Sequence, residues 1–221
     1  MKLAVYGPQR LGLVIADMMV DLQKATAAFL SDKGGGYQTM EEAESLVGHT
    51  LRTFIEGGEK ALRTARQVQA FAKDELEGLR GERGEKIAFR IGGARLRAPV
   101  TYSSKFKIMC IGANFADHFV GMSKNSPVSM GQDKKVLTLE EARACALSLP
   151  QWGFYKMGSS VSNPGEDVQY PSRTRLLDYE GEVALVVGKR GKDTQGMTSS
   201  TTSSASPSST TSPFATAWTG A

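Results

Sequence analysis

Apolar and polar residues follow one another in short runs at the start of the chain. The runs "KLAVY", "RLGLVI" and "MMVDL", all within residues 2–22, are compatible with β-strands, and Gly-Pro and Ala-Asp turn signals separate them. This pattern predicts a small β-meander at the N-terminus.

From Thr39 the apolar spacing becomes that of a helix. Thr39 followed by Glu42 fits a capping box, and apolar residues then recur at helical intervals to about Leu79. After the break at "GERGE", the stretch "KIAFRIGGARLRAPV" predicts a hairpin that ends in an extended segment before Pro99. Residues 1–100 are therefore expected to form a small N-terminal domain of strands and helices.

A second unit is expected over residues 104–193. The continuous apolar run "FKIMCIGA" predicts a buried strand. "LTLEEARACALSL" predicts a helix with Thr138 as the cap for Glu141, and "EGEVALVVGKR" predicts a further strand. Together with the N-terminal pattern, these elements indicate an α+β fold.

The remaining residues, 194–221, form a Ser/Thr/Pro tract without hydrophobic periodicity. Such a composition cannot bury enough apolar surface to fold, so a disordered segment without regular structure is expected there. A linker or stalk is the plain interpretation of this composition.

Charge and composition narrow the function classes. The 221 residues carry a net charge of +4, but basic and acidic residues are interspersed, and no basic stripe with stacking aromatics indicates nucleic-acid binding. The two cysteines, Cys110 and Cys145, predict neither a disulfide framework nor a zinc site. No apolar run approaches the roughly 20 residues that span a bilayer, and no signal-peptide core is present. A soluble, cytoplasmic protein without a membrane partner is expected.

Two carboxylates one residue apart carry the first candidate chemistry. Glu180 and Glu182 share one face of a strand because side chains alternate between faces. Carboxylates so close repel each other, and a hard divalent cation such as Mg²⁺, Mn²⁺ or Ca²⁺ removes that conflict because it prefers oxygen ligands. The alternative is a pair of exposed glutamates on an edge strand.

His118 carries the second candidate chemistry. It follows the predicted strand "FKIMCIGA", in a loop or short helix with Asn114 and Asp117, where functional groups are often displayed. A neutral imidazole there can act as a general base near physiological pH. The alternative is a surface histidine that caps a loop.

Three motifs in order resemble the fumarylacetoacetate hydrolase family. "KIMCIGANFADH" is similar to the family's Gly-x-Asn-[Tyr/Phe]-x-x-His strand end, and "FYKMGSSVSNPGEDVQYP" is similar to its Ser-Ser and Pro-Gly segment. "DYEGEVALVVGK" is similar to its metal-binding strand. The resemblance covers residues 1 to about 193 and implies an incomplete mixed β-sandwich or roll as the catalytic domain.

The resemblance also implies roles for individual residues. Glu180 and Glu182 would be metal ligands, with Mg²⁺, Mn²⁺ or Ca²⁺ as the cofactor, and His118 would activate water. Lys156 stands at the family's lysine position and would face the substrate pocket. The implied reaction is hydrolysis of a carbon–carbon bond in an acylpyruvate or other β-diketo acid through a metal-stabilised enolate. Isomerase, decarboxylase and lyase chemistry are the family's alternatives, and relatives are commonly homodimers.

Two departures from the family pattern stand out. Many relatives carry an acid three residues after the histidine, where this chain has Gly121. The family also needs a third acidic ligand about 30 residues beyond the paired glutamates, where this chain has the Ser/Thr tract.

The genetic code offers an explanation of the tract as a shifted reading frame. Suppose that the reading frame is shifted by one base, so that each new codon ends with the first two bases of a present codon. The tract can then encode a family-like Gly-Phe-Thr-Val-Phe-Asn-Asp-Val-Ser-Phe-Arg-Asp. The shifted codon at Ala215 can encode only Arg or Cys, and the one at Thr219 must encode Asp. The missing third ligand would then fall at Thr211. The chain is therefore interpreted as a fragment of an enzyme, frameshifted after about residue 193, and the alternatives are a catalytically inactive binding or scaffold remnant, or a binding domain with a flexible stalk.

Overall fold

The computed structural model describes most of the chain up to Val187 and one later strand. The described residues are 1–34, 39–99, 107–112, 115–125, 136–148, 150, 152–175, 177, 179–184, 186–187 and 215–219, without the side chains of 122, 125, 179–183 and 215–219. The chain divides into two compact units: Met1–Val100 with Ser162–Ala221, and Thr101–Val161. Its mixture of helices and antiparallel strands confirms the α+β class.

The N-terminal sheet begins with the predicted meander. Its three strands are confirmed as β1 (Lys2–Tyr6), β2 (Arg10–Ile15) and β3 (Met18–Asp21). They pair as consecutive antiparallel neighbours. Two further strands, β4 (Ala88–Arg90) and β5 (Leu96–Arg97), complete an antiparallel sheet in the order β4-β3-β2-β1-β5.

The hairpin predicted at 86–100 is wrong. β4 pairs with β3 and β5 pairs with β1, so the two strands lie on opposite edges of the sheet. A 3₁₀ turn at Ile91–Gly93 shortens their connection. At about 2.0 Å per 3₁₀ residue and 3.4 Å per extended residue, the connection spans roughly 16 Å. Because a flat five-stranded sheet is roughly 19 Å across, the sheet has to curl to bring its edges together.

Four helices lie between β3 and β4 in the chain and contribute residues to one core with the sheet. They are α1 (Leu22–Asp32), α2 (Thr39–Val47), α3 (Leu51–Glu56) and α4 (Gly58–Asp74). The predicted apolar face is divided among three of them because Gly48 and Gly58 take the positive φ angles of +64° and +55°, which interrupt a helix.

The capping box predicted at Thr39 is not formed. Thr39 is the first residue of α2, and its buried hydroxyl has no hydrogen-bond partner in the described part of the chain. The box instead joins Thr50 and Thr53 at the start of α3, where Thr53 N donates to Thr50 Oγ1 over 3.2 Å and Thr50 N donates to Thr53 Oγ1 over 3.1 Å. The hydroxyl of Thr53 replaces the Glu or Gln that the usual sequence signature requires.

The N-terminal domain has a continuous apolar core, and the buried carboxylate of Asp21 links its first strands to its first helix. Apolar residues from the sheet and helices form a single cluster between Val5 and Ala88. Asp21, only 3% exposed, accepts from Tyr6 Oη over 2.5 Å and from Arg10 Nε over 2.6 Å with one oxygen. Its other oxygen caps α1 by accepting from Lys24 N over 3.0 Å. One side chain thus links all three strands of the meander to the first helix.

The Tyr6–Asp21 contact predicts a loss of stability at alkaline pH. Burial, and secondly the charge of Asp21, raise the pKa of Tyr6 above its ordinary value. A raised folded-state pKa gives stability that is complete below the unfolded-state pKa of about 10 and is lost as the pH rises through the folded-state value. We expect the urea midpoint, followed by circular dichroism, to fall from pH 9 to 11.5 more steeply in the wild type than in Tyr6→Phe. Equal slopes would contradict this account of the cluster.

The next stretch holds two helices and a two-stranded sheet. These elements are β6 (Ile108–Ile111), α5 (Ala116–Asn125), α6 (Leu139–Ser148) and β7 (Gly153–Lys156). The cap of α6 is confirmed: Thr138 N donates to Glu141 Oε2 over 2.9 Å, and Glu141 N donates to Thr138 Oγ1 over 3.2 Å. α5 and α6 pack on each other around Phe119 and Ala142, both buried.

The prediction that β6 is buried is wrong. Met109 is 66% exposed and Ile111 52%, because among the described strands β6 pairs with β7 alone. On β7, Tyr155 lies opposite Met109 and is 69% exposed. In the described part of the chain, every exposed large apolar side chain lies at Met109 or later. The N-terminal domain has a closed core, and the later elements leave their apolar faces open.

The last two strands pair with each other. β8 (Tyr179–Val183) runs antiparallel to β9 (Ala215–Thr219). The strand predicted from Glu180 to Arg190 therefore ends early, since Ala184, Val186 and Val187 have no regular structure. The prediction that residues 194–221 lack regular structure is wrong for 215–219, where the run Ala-Thr-Ala-Trp-Thr forms a strand that pairs with β8.

No helix in the described part of the chain is long and apolar enough to cross a bilayer.

Candidate active site

Glu180 and Glu182 lie where the sequence places them, on one strand. Both belong to β8 and are separated only by Gly181. Alternation along the strand assigns the two positions to the same face of the sheet. Their side chains lie outside the described part of the structure, so the predicted metal role rests on this placement in the strand.

The partner strand brings no acid to these positions. Glu180 lies opposite Trp218 and Glu182 opposite Thr216 in the antiparallel register. Residues 194–221 contain no Asp, Glu or His at all. Thr211, the position expected for the third ligand, lies outside the described residues.

The available donors fit a hard divalent cation in kind but not in number. Two carboxylates at alternate strand positions offer the oxygen ligands that such an ion prefers. Among the residues whose side chains are described, no group of three or more His, Cys, Asp or Glu could hold a metal ion. The chain as printed therefore offers two ligands of the three that the family resemblance implies.

His118 lies in the first turn of α5, seven residues after the last residue of β6. The helix begins at Ala116, and His118 is exposed to solvent. Asn114, the other polar residue of the motif, lies outside the described residues. The sequence allowed a loop or a helix at this point, and the structure has a helix.

Gly121 lies one helical turn after His118, on the same side of α5. A Cβ atom built at Gly121 meets no atom within 4 Å. Packing therefore leaves room for the acid that many relatives carry at this position. In the chain as printed, Asp117, which is also exposed in the first turn, is the nearest acid in sequence to the histidine.

Lys156 ends β7 and is partly buried. The antiparallel register pairs it with Ile108, the first residue of β6, whereas the chain reaches His118 from the last residue, Ile111. Lys156 thus lies at the start of β6 rather than at the end that leads to the histidine. Its predicted role in substrate binding stays a prediction.

The four candidate residues are distributed over the two compact units. His118 and Lys156 belong to Thr101–Val161, and Glu180 and Glu182 belong to the unit that contains the N-terminal domain. Within each unit the structure supports the local element on which each residue was predicted.

Asn163, to which the sequence pattern assigns no role, makes a specific contact. Asn163 Oδ1 accepts from the backbone N of Ala98, just past β5, over 3.0 Å. The only sequence signal is an asparagine before Pro-Gly, which favours a turn but does not identify the distant partner.

Comparison with known proteins decides the relationship. Residues 107–202 match the family model described as Fumarylacetoacetate (FAA) hydrolase C-terminal. Over these residues the chain is similar to the fumarylacetoacetate hydrolase family. The resemblance inferred from the three motifs is therefore confirmed.

Similar curated proteins carry the name oxaloacetate tautomerase. YisK of Bacillus subtilis is 29% identical over 192 residues, which cover 85% of this chain and 50% of that protein. Mitochondrial fahd2 of Xenopus laevis is 29% identical over 143 residues, covering 65% and 34%. Human mitochondrial FAHD2B is 28% identical over 159 residues, covering 72% and 39%.

The matched part spans half the length or less of these curated relatives. No solved structure matches the chain. The activity of the relatives as whole proteins therefore applies to this chain only as a proposal.

Proposed function

We propose that the gene encodes a metal-dependent enzyme that interconverts the keto and enol forms of a small 2-oxo dicarboxylic acid such as oxaloacetate. The active form is the frame-restored chain, in which the shifted frame replaces the present one after about residue 193. The observation that carries the proposal is the pair of glutamates on β8 within the segment that is similar to the family. The names of the relatives favour tautomerisation.

In this proposal Glu180 and Glu182 supply two of three carboxylate ligands to Mg²⁺ or Mn²⁺. The aspartate codon that the shifted frame places at Thr211 supplies the third. When bound, the cation stabilises the negative charge of an enolate oxygen. A hard ion suits this set because all of the ligands are oxygens.

His118 acts as the general base. Its imidazole removes a proton from C3 of the 2-oxo acid, and a proton is delivered to the oxygen at C2, so that the keto form becomes the enol without gain or loss of atoms. His118 is exposed to solvent in the first turn of α5, where a substrate can reach it. The reverse transfer converts the enol to the keto form.

Hydrolysis of an acylpyruvate is the second candidate. In that reaction His118 removes a proton from water, the resulting hydroxide adds to the acyl carbonyl, and the carbon–carbon bond breaks to release a carboxylic acid and an enolate. The similarity to the family supports this chemistry as well. Both reactions use the same base and the same stabilised enolate, so substrate assays have to separate them.

Parallel assays on the frame-restored chain test the proposal. Ketonisation of enol-oxaloacetate, followed by the loss of enol ultraviolet absorbance with Mg²⁺ or Mn²⁺ present, is expected to be faster than in buffer containing the metal alone. Acylpyruvate cleavage should be slower or absent. Acylpyruvate cleavage without tautomerisation would favour the hydrolase, and neither activity would refute both proposals.

His118→Ala separates the base from the metal site. In the frame-restored chain this change should lower kcat by roughly 10²–10⁴, the range for loss of a general base. Mn²⁺ affinity by calorimetry should be unchanged, whereas Glu180→Gln should weaken it. His49→Ala, which removes the chain's other histidine, is the matched control and should keep the wild-type kcat. An unchanged kcat in His118→Ala would show that His118 is not the general base.

A further inference from the structure

The segment 162–166 is held on the edge of the N-terminal sheet by a side chain. Among the described strands, β5 lies at the edge of the sheet and pairs with β1 alone. The first amide beyond it, that of Ala98, donates to Asn163 Oδ1 over 3.0 Å rather than to another strand. Ala98 itself is only 5% exposed, so this amide has little access to water.

A second residue fixes the amide group of Asn163. Asn163 Nδ2 donates to Glu166 Oε1 over 2.6 Å, and Asn163 N donates to Glu166 Oε2 over 2.8 Å. Glu166 N in turn donates to Asn163 O over 3.1 Å, which closes the turn around Pro164 and Gly165. With its nitrogen engaged by the carboxylate, the Asn163 side chain presents its oxygen to Ala98.

Charge on the neighbouring strand agrees with this arrangement. The two donors from Asn163, the backbone N–H first, hold the pKa of Glu166 below its usual range, and the charges of Arg97 and Arg95 on and beside β5 act in the same direction. Gly165 takes a φ of +78°, which a glycine adopts without strain and which lets the turn close.

We propose that residues 162–166 form a strap in which Asn163, oriented by Glu166, caps the open edge of β5 and fastens the following chain to the N-terminal domain. The strap has two consequences. It occupies a backbone donor at a sheet edge, where an added strand would otherwise pair. It also fixes the start of the segment that leads to β8 and its two glutamates. Neither consequence depends on the proposed enzyme activity.

Amide hydrogen exchange of the full-length chain tests the strap. Mass spectrometry of overlapping peptides that end on either side of Ala98 isolates its amide. In Asn163→Ala the Ala98 amide should exchange at least tenfold faster, because it loses its acceptor. Amides in β1–β3, and that of Gly7, which donates to Arg95 O, should keep their wild-type rates. Ser172→Ala, a change at an exposed residue later in the same segment, is the matched control and should change none of these rates.

A second variant covers the case in which Asn163→Ala unfolds the domain and all amides exchange rapidly. Glu166→Gln keeps one acceptor oxygen for Asn163 and replaces the other with an amide group, so the Ala98 amide alone should exchange several-fold faster. Wild-type exchange at Ala98 in Asn163→Ala would overturn the strap. If that variant unfolds, wild-type exchange at Ala98 in Glu166→Gln would overturn it.

Discussion

Restoring the reading frame after about residue 193 is expected to convert an inactive chain into an enzyme. The chain as printed should show no turnover of enol-oxaloacetate or acylpyruvates with any added divalent metal, whereas the frame-restored chain should reach a kcat in the ordinary range of roughly 1–10³ s⁻¹. The physical reason is the ligand count. Glu180 and Glu182 are the two acids to which the family resemblance gives a metal role, and no acid occurs in residues 194–221. Two carboxylates hold and position a hard cation less well than three.

Metal binding gives an independent measurement of the same change. By calorimetry the printed chain should bind Mn²⁺ weakly, and Glu180→Gln/Glu182→Gln should abolish even that binding. The frame-restored chain should bind at least tenfold more tightly, since its third acid completes the site. Sequencing the source DNA across codons 190–221 is the direct control. Turnover of either substrate by the 221-residue chain as printed would refute the frameshift. Source DNA whose reading frame encodes residues 194–221 as printed would also refute it.

The elements that could be predicted from the sequence are those whose determinants are local. β1, β2 and β3 follow from short apolar runs with turns between neighbours, and hairpin partners need no distant information. The cap of α6 follows from Thr138 and Glu141, three residues apart. The placement of both glutamates on β8 is equally local, because alternation depends on the strand alone.

Distant partners decide what the sequence could not predict. β4 and β5 have the pattern of a hairpin, yet each finds its partner in a strand more than 60 residues earlier, because the curled sheet offers both of its edges. The apolar run of β6 predicts burial, but burial needs a covering layer, and the described chain has only β7 beside it. The contact of Asn163 with Ala98 lies 65 residues apart in sequence and has no local signal.

The site itself was predictable as residue types but not as an assembled geometry. His118, Lys156, Glu180 and Glu182 come from motifs, and each lies on the kind of element that its motif requires or allows. Their assembly depends on contacts between distant parts of the chain, which no local sequence pattern specifies. The relatives are twice the length of the matched part or longer.

Residues 1–99 are expected to fold alone, while the full printed chain exposes apolar surface. The core cluster from Val5 to Ala88 lies within this range, as does the Tyr6–Arg10–Asp21 link. In the described part of the chain, exposed large apolar side chains instead begin at Met109 and include Tyr155, 69% exposed, and Val187, 73% exposed. Exposed apolar groups in contiguous strands bind hydrophobic dyes and promote aggregation.

A chain of residues 1–99 should therefore melt cooperatively, with a calorimetric enthalpy of roughly 60–80 kcal/mol, the value for a domain of about 100 residues. It should leave the fluorescence of a hydrophobic dye unchanged, whereas the printed 221-residue chain should increase it several-fold and aggregate at micromolar concentration. Asp21→Ala within residues 1–99 is the control for the fold, because it removes the charged acceptor shared by Tyr6 and Arg10 and the cap of α1. A loss of roughly 1.5–3 kcal/mol is expected, the range for hydrogen bonds to a charged group, since the partly exposed Arg10 can be solvated. The prediction would be contradicted if the 221-residue chain were monodisperse, melted sharply and did not bind the dye. Residues 100–221 would then form a closed core of their own, and the exposed faces of β6 and β7 would need another explanation.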